Sequence, residues 1–232
     1  MQIIITCEHG GNKVPARFRK LFDGKERLLN SHRGYDRYAL PLARELAQTL
    51  NTPFFYAEIT RLLIDLNRSP HHPKLFSSIS ARLGAGIKRD VINKYYIPYR
   101  NAVTSRVTTT ATKGITTLHI SIHSFAPVMN GQRKNADIGL LYDPAREREK
   151  VFCLQWKENI SKKKPVIRIR RNYPYLGKAD GLVTHLRKRF PPDLYAGVEL
   201  EINQNIMKRR VQWKHILCDT LPSMPIIEVG PR

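Results

Sequence analysis

Two histidines that each follow an apolar segment are the first groups in this sequence that could perform chemistry. His9 comes just after the apolar segment 3–7, and His123 ends the alternating segment 117–123. In open α/β sheets, ligands bind beyond the carboxyl ends of the strands. A hydrolytic zinc site needs three protein ligands, usually histidine and carboxylate, and leaves one position for water. We therefore predict that His9 and His123 are ligands of a catalytic metal ion.

Asp36, just before a predicted amphipathic helix, is the best third ligand. His119 cannot share a metal with His123, because four residues of strand span about 13 Å. Glu8 is less suited, because neighbours on a strand point to opposite faces. Structural roles remain as alternatives: a helix cap for Asp36, a turn residue for His9 and a hydrogen-bonded buried ring for His123.

Glu201 is the candidate general base, the carboxylate that takes a proton from the attacking water. It lies in segment 197–203, where apolar and polar residues alternate and where Glu199 occupies the same face. The two acids are about 6.6 Å apart along the strand. A carboxylate inside a sheet is costly unless a metal ion or an arginine compensates it. The alternative for Glu201 is a salt bridge on an edge strand.

Arg61 and Arg68 are candidates for binding the carboxylate of a substrate. They bracket an apolar segment that Asp65 and Asn67 interrupt. The planar guanidinium group matches a carboxylate with two parallel hydrogen bonds. Pairing with Asp65 or another acid is the alternative for both arginines.

The elements that must position these residues begin with a strand, a helix and a second strand. Residues 3–7 and 54–57 predict the strands, and apolar residues at helical spacing predict a helix over 38–50. Such a βαβ unit implies a parallel sheet with helices on its faces. Further strands are predicted at 117–123, 137–142, 166–169, 197–203 and 226–229.

Helices are predicted for most of the remaining chain. They cover a short basic segment at 16–22, then 90–110 with a break near Pro98, 146–162, 180–189 and 204–218, while 69–88 and 172–177 are predicted loops. The sequence has no internal repeat, low-complexity segment or linker. We therefore expect a single domain over residues 1–232.

Composition narrows the function classes. No segment reaches the roughly 18 apolar residues of a membrane span, and the N-terminus lacks the features of a signal peptide. The chain has three unclustered cysteines, which favours a reducing compartment, so we expect a cytoplasmic protein. The net charge of +21 would attract polyanions. A basic, solvated surface without a partner is the alternative, and no motif of a nucleic-acid-binding fold is present.

Five segments together resemble the N-formylglutamate amidohydrolase family. They occur in the order found in that family and span residues 3 to 206. The segments are Cys7-Glu8-His9-Gly10-Gly11-Asn12-Lys13-Val14-Pro15, His32-Arg33-Gly34-Tyr35-Asp36, Arg61-Leu62-Leu63-Ile64-Asp65-Leu66-Asn67-Arg68, Ser121-Ile122-His123-Ser124-Phe125-Ala126-Pro127 and Glu199-Leu200-Glu201-Ile202-Asn203-Gln204.

The resemblance implies a three-layer α/β fold with a mixed, mainly parallel sheet, similar to zinc carboxypeptidases and zinc-dependent cell-wall amidases. It implies hydrolysis of the amide bond of an N-acylated amino acid, such as N-formylglutamate, with one zinc ion per chain. It assigns the residue roles as follows: metal ligands His9, Asp36 and His123, the acid/base Glu201, and the substrate-binding residues Arg61, Asn67, Arg68, Asn12 and Ser124.

Two other functions remain open from the sequence. One is an amidase that acts on a peptide or a cell-wall fragment, which would need an open groove instead of a closed pocket. The other is a non-catalytic, polyanion-binding protein on the same fold, which would show steeply salt-dependent binding and no metal. We predict no membrane partner and no particular oligomeric state.

Overall fold

The computed structural model describes residues 1–129, 131–207 and 213–222, and a six-stranded sheet lies at its centre. The strand order is β2-β1-β3-β8-β6-β7, and β4 and β5 form a separate hairpin. The strands are β1 Gln2–Cys7, β2 Phe54–Tyr56, β3 Thr117–Phe125, β4 Val128–Met129, β5 Gln132–Arg133, β6 Ile138–Leu141, β7 Ile169–Arg171 and β8 Tyr195–Asn203.

Strands β2, β1, β3 and β8 run parallel, and β6 joins β8 in the antiparallel direction with β7 parallel to β6. The predicted mixed, mainly parallel α/β sheet is therefore confirmed. The register of β3 and β8 pairs Ser121 with Glu199 and His123 with Glu201. Because adjacent strands are about 4.8 Å apart, this register brings the histidine and the two acids together at the carboxyl end of the sheet.

Helices cover both faces of the sheet. One apolar cluster joins the sheet to α2, α5 and α8, and another joins it to α4 and α6. The helices are α1 Glu26–Leu29, α2 Ala39–Thr49, α3 Ala85–Val91, α4 Ile97–Ala111, α5 Glu147–Lys163, α6 Leu182–Arg189, α7 Gln204–Met207 and α8 Trp213–Asp219, with 3-10 turns at Ala16–Phe22 and Ser80–Arg82 and a π-helical turn at Ile92–Tyr96.

A third apolar cluster lies in the segments that connect these elements. It buries Phe18 and Phe22 of the first 3-10 turn against Leu63 and Ile64 of the segment after β2. Leu75 and residues of the α3–α4 region pack on the same cluster. The segment 61–68, with its polar residues, is therefore held in a fixed position by its buried leucine and isoleucine side chains.

Some predicted elements differ from the structure or lie partly outside the described residues. Helical structure begins at Ala85 and not at residue 90, and continues through the π-helical turn into α4. Apolar spacing gave no signal there, because only Val91 in α3 is buried. Pro98 lies in the first turn of α4, where a proline is tolerated. The predicted strand at 226–229 lies outside the described residues, as does the middle of the predicted helix at 204–218.

None of the helices in the described part of the chain is both long and apolar enough to cross a membrane.

Candidate active site

His9, Asp36 and His123 converge at the carboxyl end of the central strands. All three are buried, and one ligand atom from each lies within 4.8 Å of the other two. The Nδ1 atom of His123 is 2.7 Å from Oδ2 of Asp36, and the Nδ1 atom of His9 is 3.4 Å from the same oxygen. The three residues come from the end of β1, the start of α2 and the end of β3, so the fold alone brings them together.

Asp36 reaches this position through the turn that precedes α2. Its backbone N–H donates to the carbonyl of His9 at 2.9 Å, which ties the two loops together. Gly34 allows the close approach, since a Cβ there would lie 2.1 Å from the carbonyl oxygen of Leu29. The N-cap residue of α2 is Tyr38, and no side chain caps that helix. The carboxylate of Asp36 therefore faces the histidines and does not act as a cap.

The second nitrogen of the His9 ring is occupied by a carboxylate. Its Nε2 atom lies 2.7 Å from Oδ1 of Asp65. Its Nδ1 atom is buried and has no hydrogen-bond partner among the described residues. Only the nitrogen that faces Asp36 is therefore available to a ligand.

The Nε2 atom of His123, like that of His9, also faces a carboxylate. This atom lies 2.9 Å from the hydroxyl of Ser121 and 3.2 Å from Oε2 of Glu8. Ser121 donates to Glu8 at 2.6 Å, and the phenol of Tyr99 donates to the other Glu8 oxygen at 2.9 Å. Glu8 reaches the ring because β1 ends at Cys7, so strand alternation no longer governs its direction.

The charges of the cluster are strongly coupled. Burial favours the neutral form of each carboxyl group, yet His9 and His123 hold the pKa of Asp36 well below its usual range. Burial likewise opposes charge on the His123 ring, but hydrogen bonds to Asp36 and Glu8 raise its pKa well above the usual value. The pKa of Asp65 is low in spite of burial, because Arg61 and His9 are close. Asp36 and Asp65 therefore stay ionised in the cluster.

These residues fit a zinc ion. Two imidazole nitrogens and one carboxylate oxygen form a common donor set of catalytic zinc sites. A carboxylate on the other nitrogen of each histidine, here Asp65 and Glu8, is typical of histidines that bind metals. The Nδ1 atom of His9 makes no hydrogen bond and only a 3.4 Å contact with Asp36, and it is the atom that a metal ion would satisfy.

Glu201 and Glu199 lie beside this cluster on β8. Both line the same cavity as the three potential ligands. The Oε2 atom of Glu201 is buried without a hydrogen-bond partner among the described residues. Burial, together with the charges of Asp36 and Glu199, raises the pKa of Glu201 to about 8. Glu201 is not on an edge strand, since β8 lies between β3 and β6, so the edge-strand alternative is wrong.

The two arginines differ in their contacts. Arg61 donates to Asp65 at 2.7 Å and lies 3.6 Å from Asp36. It is therefore paired with acids of the protein, which was the alternative to binding a substrate. Arg68 lies farther from Asp65, at 3.9 Å. Asn67 donates to Glu199 at 3.4 Å and accepts the N–H of Leu182 at 2.7 Å, which links the 61–68 segment to β8 and α6.

The cavity over this cluster measures about 730 Å³. Arg61, Asn67, Arg68 and Ser124 line it, and the hydroxyl of Ser124 donates to the carbonyl of Arg37. Asn12 is not among the residues that line the cavity, and its predicted role in substrate binding stays a prediction. Its amide instead donates to the carbonyl of Leu29 and the side chain of Asn30, because the loop after β1 packs against α1.

Tyr175 is a cavity residue that the sequence analysis missed. Its loop is hydrogen-bonded to the residue that follows β6. The Asn172 side chain accepts the N–H group of Tyr142 and also that of Gly177 within the loop, both at 3.0 Å. A Cβ at Gly177 would lie 2.1 Å from the backbone of Tyr142. Burial raises the pKa of the Tyr175 phenol, as do the charges of Glu201 and Asp36. A loop of mixed polar and aromatic residues gave no periodic signal for this placement.

The fold and the cluster define an α/β protein with a candidate metal site beyond the ends of its strands. The family model of N-formylglutamate amidohydrolase matches residues 1–207, and the chain belongs to that family. Membership supports an amidohydrolase, a hydrolase that acts on an amide bond.

Solved structures show the same fold. Gene product Atu2144 from Agrobacterium tumefaciens is 23% identical with a TM-score of 0.75, and the match covers 94% of this chain and 86% of that one. N-formylglutamate amidohydrolase from Ralstonia eutropha JMP134 is 18% identical with a TM-score of 0.67, and the match covers 94% and 89%. No curated protein matches the chain.

Proposed function

We propose that this protein is a metal-dependent hydrolase that cleaves the amide bond of an N-acylated amino acid such as N-formylglutamate. Membership in the amidohydrolase family supports the reaction class. The observation that carries the metal dependence is the convergence of His9, Asp36 and His123, together with a buried His9 Nδ1 atom that makes no hydrogen bond.

His9 and His123 would hold the metal through Nδ1, and Asp36 through its carboxylate. A bound Zn²⁺ supplies Lewis acidity, which polarises a carbonyl group and lowers the pKa of water. Asp65 and Glu8 would keep both rings in the orientation that directs Nδ1 to the metal. Zinc is the proposed metal because the donor set contains two nitrogens and one oxygen.

Glu201 is the proposed general base and acid. It takes a proton from the attacking water as the new carbon–oxygen bond forms, and returns a proton to the amine nitrogen as the carbon–nitrogen bond breaks. A pKa of about 8 is close to neutral pH, which suits a group that must both accept and donate a proton. The unpartnered Oε2 atom of Glu201 is the oxygen that faces no competing donor.

Arg68 is the proposed main contact for the substrate carboxylate. Its side chain is partly buried at the cavity wall, and the Oδ2 atom of Asp65 lies 3.9 Å from its Nε atom. Arg61 would add positive charge while it remains paired with Asp65. Ser124 and Asn67 line the same cavity and offer hydrogen-bonding groups to the rest of the substrate.

The test combines metal content with turnover. Elemental analysis of the purified, untagged protein should find about one zinc ion per chain, and formate release from N-formylglutamate should depend on it. His9→Ala and His123→Ala should lose both properties. His215→Ala replaces an exposed histidine and should retain both. A protein that hydrolyses the substrate equally well after the metal has been removed would contradict the proposal.

A further inference from the structure

A second concave surface adjoins the cavity of the candidate site. It measures about 410 Å³, and Pro73, Phe76 and Ala81 line both spaces. We call this surface the distal groove, and its other lining residues are Pro70, His71, His72, Leu75, Ala85, Lys88, Arg89 and Ile92. The cavity and the distal groove are therefore neighbours that share part of their walls.

The distal groove is fixed relative to the candidate site. The backbone N–H of Asp65, the partner of His9, donates to the carbonyl of Leu75 at 2.8 Å. The hydroxyls of Ser77 and Ser80 both donate to the carbonyl of Leu62, at 2.5 and 2.9 Å. The segment that forms the distal groove is thus hydrogen-bonded directly to the segment that forms the cavity wall.

The distal groove is positively charged. Its lining contains Lys88 and Arg89 and no carboxylate, and the Nζ atom of Lys88 lies 5.6 Å from the centre of the Phe76 ring at the junction. Lys74 adds a further cation at the wall of the cavity. None of these three cations forms an ion pair with any residue that the structure describes, so their charge is available to an anion.

The size of the two spaces points to a long substrate. Cavities of about 300–1,000 Å³ enclose drug-sized ligands, and the site cavity of about 730 Å³ and the distal groove of about 410 Å³ each lie within this range. The distal groove begins at Pro70, two positions after Arg68 in the chain. The segment that forms the distal groove therefore follows directly in the chain on the segment that we propose to bind the amino-acid part of the substrate.

We propose that the substrate is an N-acylated acidic peptide whose carboxyl-terminal residues lie in the distal groove against Lys88 and Arg89. The acyl group and the first residue would occupy the candidate site. This proposal rests on the proposed function, and it extends that function from a single amino acid to a peptide. The reaction is unchanged: the N-acyl amide is hydrolysed to a carboxylic acid and a free peptide amine.

The experiment compares three substrates of one acyl group: formyl-Glu, formyl-Glu-Glu-Glu and formyl-Glu-Gln-Gln. The zinc-loaded protein should show a kcat/KM for the acidic peptide about fivefold or more above that for the neutral peptide, because two cations each strengthen binding by a modest amount. This ratio should decrease as salt is added, because the contacts are exposed.

Matched variants separate the distal groove from the overall charge. Lys88→Gln with Arg89→Gln should bring the ratio close to one while the rate with formyl-Glu stays unchanged. Arg82→Gln with Lys94→Gln removes the same charge from neighbouring positions that do not line the distal groove and should preserve the ratio. Equal rates for the two peptides, or a ratio that survives the first pair of substitutions, would overturn this proposal alone. Absence of hydrolysis with all three substrates would overturn the proposed function as well.

Discussion

The Nε2 atom of His9 lies 2.7 Å from Oδ1 of Asp65, a residue 56 positions away in the chain. Asp65 also accepts the N–H of Asn67 and the guanidinium of Arg61, so its orientation is fixed. Because such a carboxylate orients a metal-binding histidine, Asp65→Asn should weaken Zn²⁺ binding by about 10–100-fold. Competition with a chelator of known affinity measures the change.

Asp180→Asn is the matched control for this substitution. Asp180 also lines the cavity, but its carboxylate accepts the N–H of Ser69 and makes no contact with either histidine. The zinc affinity of the Asp180→Asn variant should equal that of the unchanged protein. Equal losses in the two variants would mean that the general negative charge of the cavity, and not the orientation of His9, determines affinity.

The neighbouring positions of His123 and Glu201 could be predicted only in part. Alternation in the two segments identifies both strands and the face on which each side chain lies, because that period follows from strand geometry. Alternation does not give the strand order or the register. These depend on contacts between distant segments, such as the antiparallel insertion of β6 beside β8.

The partners of the histidines could not be predicted from local patterns. Strand alternation predicts that Glu8 points away from the histidines, but β1 ends at Cys7, and Glu8 contacts the Nε2 atom of His123. Asp65 interrupts an apolar segment, where an acid requires a partner, yet nothing in the sequence connects it with His9. The distal groove was likewise hidden, because the segment 69–88 has no helical or strand periodicity.

Glu201→Gln should retain the metal and reduce turnover. Removal of a general base typically costs about 10²–10⁴-fold in rate, and glutamine keeps the shape of the side chain. The measurement is kcat for formate release at saturating zinc, with metal content determined on the same sample. Glu199→Gln should reduce kcat much less, since Glu199 accepts a hydrogen bond from Asn67. Unchanged turnover in the Glu201 variant would mean that another residue is the base, and Glu199 would be the first candidate.

Arg68→Gln should raise KM for an anionic substrate and leave kcat nearly unchanged. A hydrogen-bonded charge pair of this kind contributes to ground-state and transition-state binding alike, and its loss should raise KM by about tenfold or more. Steady-state kinetics with N-formylglutamate measures both constants. Arg33→Gln removes an exposed charge at the same cavity and should have a smaller effect. A fall in kcat at constant KM would show instead that Arg68 acts on the transition state.

His119 should make the stability of the protein depend on pH. Its ring is fully buried between the hydroxyl groups of Thr6 and Tyr195, at 2.8 and 2.7 Å, and burial lowers its pKa from 6.5 to about 4. The unfolded chain therefore binds more protons than the folded protein between pH 4 and 6.5. The free energy of unfolding rises with pH across this range, and the gain in stability is fully present above pH 6.5.

At about 1.4 kcal/mol per pH unit, the full effect of His119 is about 3 kcal/mol. His119→Gln preserves a donor and an acceptor but cannot titrate. Urea unfolding between pH 4 and 6.5 should therefore give a shallower dependence on pH for His119→Gln than for the unchanged protein, while the exposed substitution His215→Gln should leave the slope as it is. The same slope in all three proteins would show that the His119 ring does not lose its proton on folding.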